Sequence, residues 1–199
     1  MIIQCSPIRS GSTLIWNVVS ELTNIEIKKL HNIPKNLKTL KMISTIRHPY
    51  NSIVSSILRY DLELNVENLK NQISEYKKNG GKDFSMVDES NPNILILRYE
   101  DITDDLQSSV LHICDFLTIE KNKKKINQIC SKFSINNMLK ISQELITFNN
   151  IDKKTKIHGK HISEYKGNIN YKDILSEEMI SILQEDSIIN LILSKFNYE

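Results

Sequence analysis

Ser6-Pro-Ile-Arg-Ser-Gly-Ser-Thr13 is the stretch on which the reading of this chain turns. It follows a short apolar run over residues 1–5 and precedes a helical pattern over residues 14–22. Strand, tight loop and helix in that order leave free backbone N–H groups at the helix N-terminus, where the macrodipole favours an anion. Gly11 permits close backbone approach, and Ser10, Ser12 and Thr13 add hydroxyl donors. Arg9 adds a planar cationic fork suited to phosphate or sulfate. The bland alternative is an ordinary capped helix entry.

Working outward, the chain alternates strand and helix. Strands are expected at residues 25–30, 41–46 and 93–98, the last apolar enough to read as fully buried. Helices are expected at 50–60 with Pro49 in the first turn, at 66–78 stopped by Asn79-Gly80-Gly81, at 121–130 and at 135–145. Another is expected at 103–117, with Thr103 as N-cap and Asp104 and Asp105 in its first turn, and a last one from Ser176 to about residue 196. Residues 148–167 are polar and carry no clear period. The order predicts an α/β fold of three layers with a mostly parallel central sheet and one domain over residues 1–199.

Composition narrows the function class. The 199 residues are 40% hydrophobic and 25% charged with a formal net charge of +2, so nothing global points to nucleic acid or an anionic membrane. Any anion site must be a local cluster. Three cysteines without a C-x-x-C spacing argue against a disulfide framework or a zinc site; Cys5 and Cys114 read as core thiols. The N-terminus has no basic region followed by an apolar one, and no apolar run is long enough to span a bilayer. The expected location is the cytoplasm. Oligomeric state has no sequence signature here.

The loop also argues against a neighbouring chemistry. In the triphosphatase pattern G-x-x-x-x-G-K-[ST], Ser6 takes the place of the first Gly and Ser12 that of the Lys. Without that Lys, β/γ-phosphate chemistry lacks its cation. Arg9-Ser10-Gly11-Ser12-Thr13 instead resembles the 5′-phosphosulfate loop of sulfotransferases that use 3′-phosphoadenosine-5′-phosphosulfate (PAPS), with Pro7 displaced by one position. Arg47-His-Pro49-Tyr-Asn-Ser-Ile-Val-Ser55 resembles the family's 3′-phosphate motif R-x-P-x-x-x-x-x-S in full. An Arg at a strand end and a hydroxyl two turns into the next helix can converge on one phosphate.

Further likenesses are looser. Ile-Leu-Ile-Leu-Arg98-Tyr99-Glu100-Asp101 resembles the family's strand and Y-E-D, which implies that Tyr99 contacts the adenine and that Glu100 and Asp101 form a local capping or ionic pair. Cys130-Ser131-Lys132-Phe133, with Met138, resembles T-S-F-x-x-M and implies that Ser131 and Phe133 flank the adenine. Lys166-Gly167 before Tyr171 resembles a degraded R-K-G segment that closes over the 3′-phosphate. The family's cytosolic branch often has Trp after the loop Thr; here that position is Leu14, and Trp16 is expected to face the core.

Sulfuryl transfer needs a stabilised leaving oxygen, stabilised sulfuryl oxygens and a proton acceptor, and positioning and electrostatics supply most of the catalysis. Arg9 fits the first role. Lys29-Leu-His31-Asn-Ile-Pro34 resembles the family's K-T-H-L-P, which implies that Lys29 holds sulfuryl oxygens and His31 is the general base. PAPS is then the cosubstrate, no metal is required, and the acceptor is a small molecule with a hydroxyl or amine. A P-loop kinase and a non-catalytic nucleotide-binding relative are the competing readings.

Overall fold

Four parallel strands run through the centre of a computed structural model that describes residues 1–25, 27–37, 39–159, 162, 165 and 167–198. They are β1 (Ile2–Cys5), β2 (Lys28–Leu30), β3 (Lys41–Ile46) and β4 (Ile94–Arg98), in the order β2-β1-β3-β4. Side chains alternate across a strand, so each strand feeds two cores. Ile3, Cys5, Met42 and Ile46 face one side. Ile43 and Leu97 face the other.

On the first side pack α2 (Pro49–Arg59), α3 (Val66–Tyr76), α4 (Lys82–Ser85), α9 (Glu177–Gln184) and α10 (Ser187–Lys195). Ile53, Ile57, Leu69, Tyr76, Phe84 and Leu183 are the buried contacts there. On the second side pack α1 (Ser12–Thr23), α6 (Leu106–Leu117), α7 (Lys123–Lys132) and α8 (Ile135–Glu144). The result is the three-layer α/β fold expected from the alternation of elements. Cys5 and Cys114 are buried, and burial pushes the Cys5 thiol up to about 12, which makes it an inert core residue. Trp16 packs in the second core, and its Nε1 donates to the Ile27 carbonyl at 2.8 Å.

Four local expectations need correction. β2 is limited to Lys28–Leu30, because Ile25 is exposed and has no strand to pair with. β4 is an edge strand and only half-buried, since a run of apolar residues does not distinguish an edge from a centre. The helix expected at 103–117 is two: α5 (Tyr99–Asp104) starts directly at the strand end, and α6 is capped by Asp105, whose side chain accepts from Ser108 N. Asp186 likewise splits the final helix by accepting from Ile188 N and Ile189 N.

Asn79-Gly80-Gly81 does not end the chain's helical course. It forms a wide kinked turn over Lys77–Gly81 that leads into α4. Gly80 has φ 106°, and a Cβ there would lie 2.6 Å from the His31 carbonyl oxygen and 2.8 Å from Pro7 Cα. Only a glycine lets this turn press against both loops. Ile8 N donates to Asn79 O, and Asn32 Nδ2 donates to Lys78 O, so the turn buttresses the region around the strand ends.

Among the described residues, no helix is long and apolar enough to cross a membrane.

Candidate active site

Because all four strands are parallel, their carboxyl ends lie on one edge, and each delivers a functional segment there. β1 leads into the loop ending at Gly11, β2 carries Lys29 and leads to His31, β3 leads to Arg47, and β4 leads to Tyr99. These segments enclose a cavity of about 270 Å³.

The loop is held from below. Ser6 Oγ accepts from Thr45 N and Thr45 Oγ1 at 2.8 and 2.9 Å, and Ser10 Oγ donates to the Pro7 carbonyl at 2.6 Å. Arg9 and Gly11 adopt left-handed backbones, φ 60° and 89°. For Arg9 that conformation costs energy and turns the side chain toward α2. Its Nε and Nη2 both donate to Ser55 Oγ, at 3.1 and 3.0 Å, which joins the two phosphate motifs directly. Gly11 caps α1 without a side-chain hydrogen bond, so the first-turn N–H groups face the cavity uncapped.

Tyr99 closes this side. A Cβ on Gly11 would sit 2.5 Å from Tyr99 Cδ2, so the ring rests directly on the loop backbone. Arg47 lies over the same ring, its guanidinium carbon 4.6 Å from the centroid. Arg47 also donates to the Arg9 carbonyl at 3.3 Å and to the Gly167 carbonyl at 2.7 Å. Glu100 is not part of a local pair with Asp101. Its two carboxylate oxygens accept from His48 N and Tyr198 Oη, at 3.0 and 2.9 Å, which ties the chain's end to the β3 strand end.

Lys29 reaches across from β2, and its Nζ donates to Thr13 Oγ1 at 2.6 Å. Burial, then the charges of Arg59 and Arg9, push its pKa down to about 8. His31 Nδ1 donates to the Ser6 carbonyl at 2.9 Å. A carbonyl only accepts, so this bond fixes the proton on Nδ1 and leaves Nε2 as the basic nitrogen. Burial lowers the His31 pKa below its ordinary 6.5, so the ring is neutral at pH 7. Burial and the neighbouring charges of Arg59 and Arg47 also depress Arg9.

Arg9, Gly11, Ser12, Thr13, Lys29, His31, Arg47, Ser55, Tyr99 and Gly167 therefore meet around one cavity. Ser10 lies beneath it as a structural hydroxyl, fully buried. Ser131 and Phe133 do not reach it. Ser131 is exposed on α7, and Phe133 is buried against the second core because the apolar stripe of α7 points there. Ile135 and Met138, on α8, line the cavity instead. Lys166 lies outside the described residues. The sequence reading missed Arg59, Tyr60 and Ser56, which follow the R-x-P-x-x-x-x-x-S motif on the cavity side of α2. His158, from the polar segment 148–167, also lines the wall.

The electrostatics have one sign. Among its described lining residues, four side chains are cationic and none is a carboxylate. Such a site favours a polyanion.

A model of the sulfotransferase domain matches residues 18–187, which includes Lys29, His31, Arg47, Ser55 and Tyr99 and begins after the phosphate loop. No curated protein matches the chain. Among solved structures, retinol dehydratase in complex with androsterone and the inactive cofactor PAP aligns with a TM-score of 0.69 at 16% identity, covering 96% of this chain and 80% of that one. A mouse sulfotransferase complexed with PAP aligns at 0.65 and 14% identity, over 100% and 88%. The sulfotransferase domain from the curacin biosynthetic pathway aligns at 0.52 and 15% identity, over 100% and 98%. At these identities the structures establish a shared fold. With the family match over most of its length, this chain belongs to the sulfotransferase domain family.

Proposed function

We propose that this protein transfers the sulfuryl group of PAPS to a hydroxyl or amine of a small-molecule acceptor. The observation that carries the reading is the convergence of Arg9, Lys29, His31, Arg47 and Ser55 on one cavity with no carboxylate among its described lining residues. The uncapped start of α1 and Arg9 suit the 5′-phosphosulfate, and Arg47 with Ser55 suits the 3′-phosphate. Tyr99, Ile135 and Met138 offer apolar surface for the adenine. The PAP bound to two of the structural neighbours is the donor's expected product and fits the same chemistry. Gly167, and Lys166 by resemblance, would close over the 3′-phosphate.

In the reaction, the acceptor oxygen or nitrogen attacks sulfur as the bond from sulfur to the 5′-phosphate oxygen breaks. His31 Nε2 takes the acceptor's proton, and adenosine 3′,5′-bisphosphate leaves with the bonding electron pair. Lys29 and Arg9 stabilise the charge that develops on the sulfuryl and leaving oxygens. All chemistry-bearing segments hang on one sheet, which supports reading residues 1–199 as one sulfotransferase domain. The free cysteines suit the cytoplasmic location read from the sequence.

The test is release of adenosine 3′,5′-bisphosphate from PAPS in the presence of a broad panel of hydroxyl and amine acceptors. Acceptor-dependent release supports the reading. Tight binding of the bisphosphate with no release on any acceptor points to a non-catalytic relative.

A further inference from the structure

One cation of the cavity has no role in that scheme. Arg59 ends α2, one helical turn beyond Ser55, where a basic side chain is ordinarily free to turn outward and complement the helix dipole. Instead it lines the cavity. Its guanidinium carbon lies 4.3 Å from the ring centroid of Phe148 and 5.8 Å from that of Tyr60. Phe148 in turn stacks on His158, with centroids 5.0 Å apart and planes inclined by 13°. The His158 ring is itself fixed, because Nδ1 donates to the Phe148 carbonyl at 3.0 Å. Arg59 is thus a preorganised, planar cation laid on an aromatic shelf.

Its hydrogen-bonding capacity is not used up. Nε is buried without a partner, and among the described residues no carboxylate forms an ion pair with the guanidinium. Arg59 is half-buried, and a partly desolvated cation with no counter-ion among the described residues is one that a ligand anion completes. The donor's anions have other partners: the loop and Arg9 at one end, Arg47 and Ser55 at the other. Arg59 lines the cavity beside the two cations assigned to the transferring end of the donor, and its charge lowers the pKa of both Lys29 and Arg9 more than any other charge does. The shelf beneath it, Phe148 and His158, comes from the polar segment after α8 and lies outside both phosphate motifs.

We propose that Arg59 selects the acceptor, and that the acceptor carries an anionic group, a carboxylate, phosphate or sulfate, beside the hydroxyl or amine that receives the sulfuryl group. This rests on the function proposed above. A neutral acceptor leaves the half-buried guanidinium unmatched, which is a penalty as well as a lost attraction.

The experiment uses the full chain saturated with adenosine 3′,5′-bisphosphate. Thermal shifts and titration calorimetry then compare para-hydroxybenzoate with para-cresol, and glycerophosphate with glycerol. An anionic member should bind at least about tenfold more tightly than its neutral partner. Arg59→Gln should abolish that preference, Arg59→Lys should keep part of it, and both should bind the bisphosphate like the wild type. If neither anionic probe outbinds its neutral partner, or if Arg59→Gln retains the preference, the proposal is overturned. If Arg59→Gln loses the bisphosphate, Arg59 belongs to the donor and the proposal fails in that way. A wild type that does not bind the bisphosphate at all overturns the donor reading and the acceptor assignment with it.

Discussion

Lys29 Nζ donates to Thr13 Oγ1 at 2.6 Å, which joins the cation of an edge strand to the hydroxyl of the phosphate loop. The bond spans the place where the loop's helix begins, so Lys29 is held ready for an anion that the same N-terminus attracts.

This contact predicts a pH-dependent donor affinity. Lys29 has its pKa lowered to about 8 in the ligand-free protein, and a bound anion favours the protonated amine. Binding of adenosine 3′,5′-bisphosphate should therefore take up a proton around and above pH 8, and affinity should fall as pH rises through that value. Calorimetry in buffers of different ionisation enthalpy measures the uptake. Lys29→Met should bind more weakly and lose the pH dependence.

His31 predicts the acid limb. Its pKa is lowered by burial, so the imidazole is neutral and basic at neutral pH and becomes protonated only below its ordinary 6.5. The rate should rise with pH through an apparent pKa below that value and then level off. His31→Ala should reduce kcat by about a hundredfold to ten-thousandfold while bisphosphate binding persists. Steady-state kinetics and calorimetry on the same preparation separate the two effects.

Gly80 predicts an effect from a residue outside every phosphate motif. A Cβ at this position meets the His31 carbonyl and Pro7 Cα, both backbone, so neither can swing aside. Gly80→Ala should cost about 1–3 kcal/mol of stability and shift the base, lowering kcat. Urea unfolding reads the first effect and turnover the second. A variant of unchanged stability and rate would remove the buttressing role.

Glu100 predicts a structural coupling. Glu100→Ala leaves the His48 N–H without its side-chain acceptor and the Tyr198 hydroxyl with only the longer contact to the Ile46 carbonyl at 3.3 Å, which should cost about 1–3 kcal/mol. Tyr198→Phe removes only one of the two bonds and should cost less. Denaturant midpoints of the two variants and of the double variant show whether the losses overlap.

The strand ends were legible in the sequence because each carries a residue pattern whose chemistry needs that position. A loop of small residues with Arg9, an Arg-Pro-Ser motif at Arg47 and Ser55, and a Lys-His pair at Lys29 and His31 all belong at the carboxyl edge of a parallel sheet. Arg59 was not legible. A basic residue in a last helical turn satisfies the dipole in any orientation, and only the aromatic shelf of Phe148, 89 residues away in sequence, turns it inward. Ser131 and Phe133 misled for the opposite reason, because motif spacing ignored the amphipathic face of α7 that buries Phe133. The 99–117 segment broke at Asp105 rather than Thr103 because an acid with a free N–H three residues ahead is the better cap. The buttress by Gly80 is a tertiary contact, and no local pattern announces it.

The central claim is that one cavity holds both phosphates of the donor, and the most direct measurement is calorimetric affinity for adenosine 3′,5′-bisphosphate, AMP and Mg-ATP with wild type and Arg47→Ala. The wild type should prefer the bisphosphate over AMP by about tenfold to a hundredfold, the worth of a charge-assisted contact, and Arg47→Ala should lose that preference. Equal affinity of the wild type for the bisphosphate and AMP, or tighter binding of Mg-ATP than of either, would contradict the account.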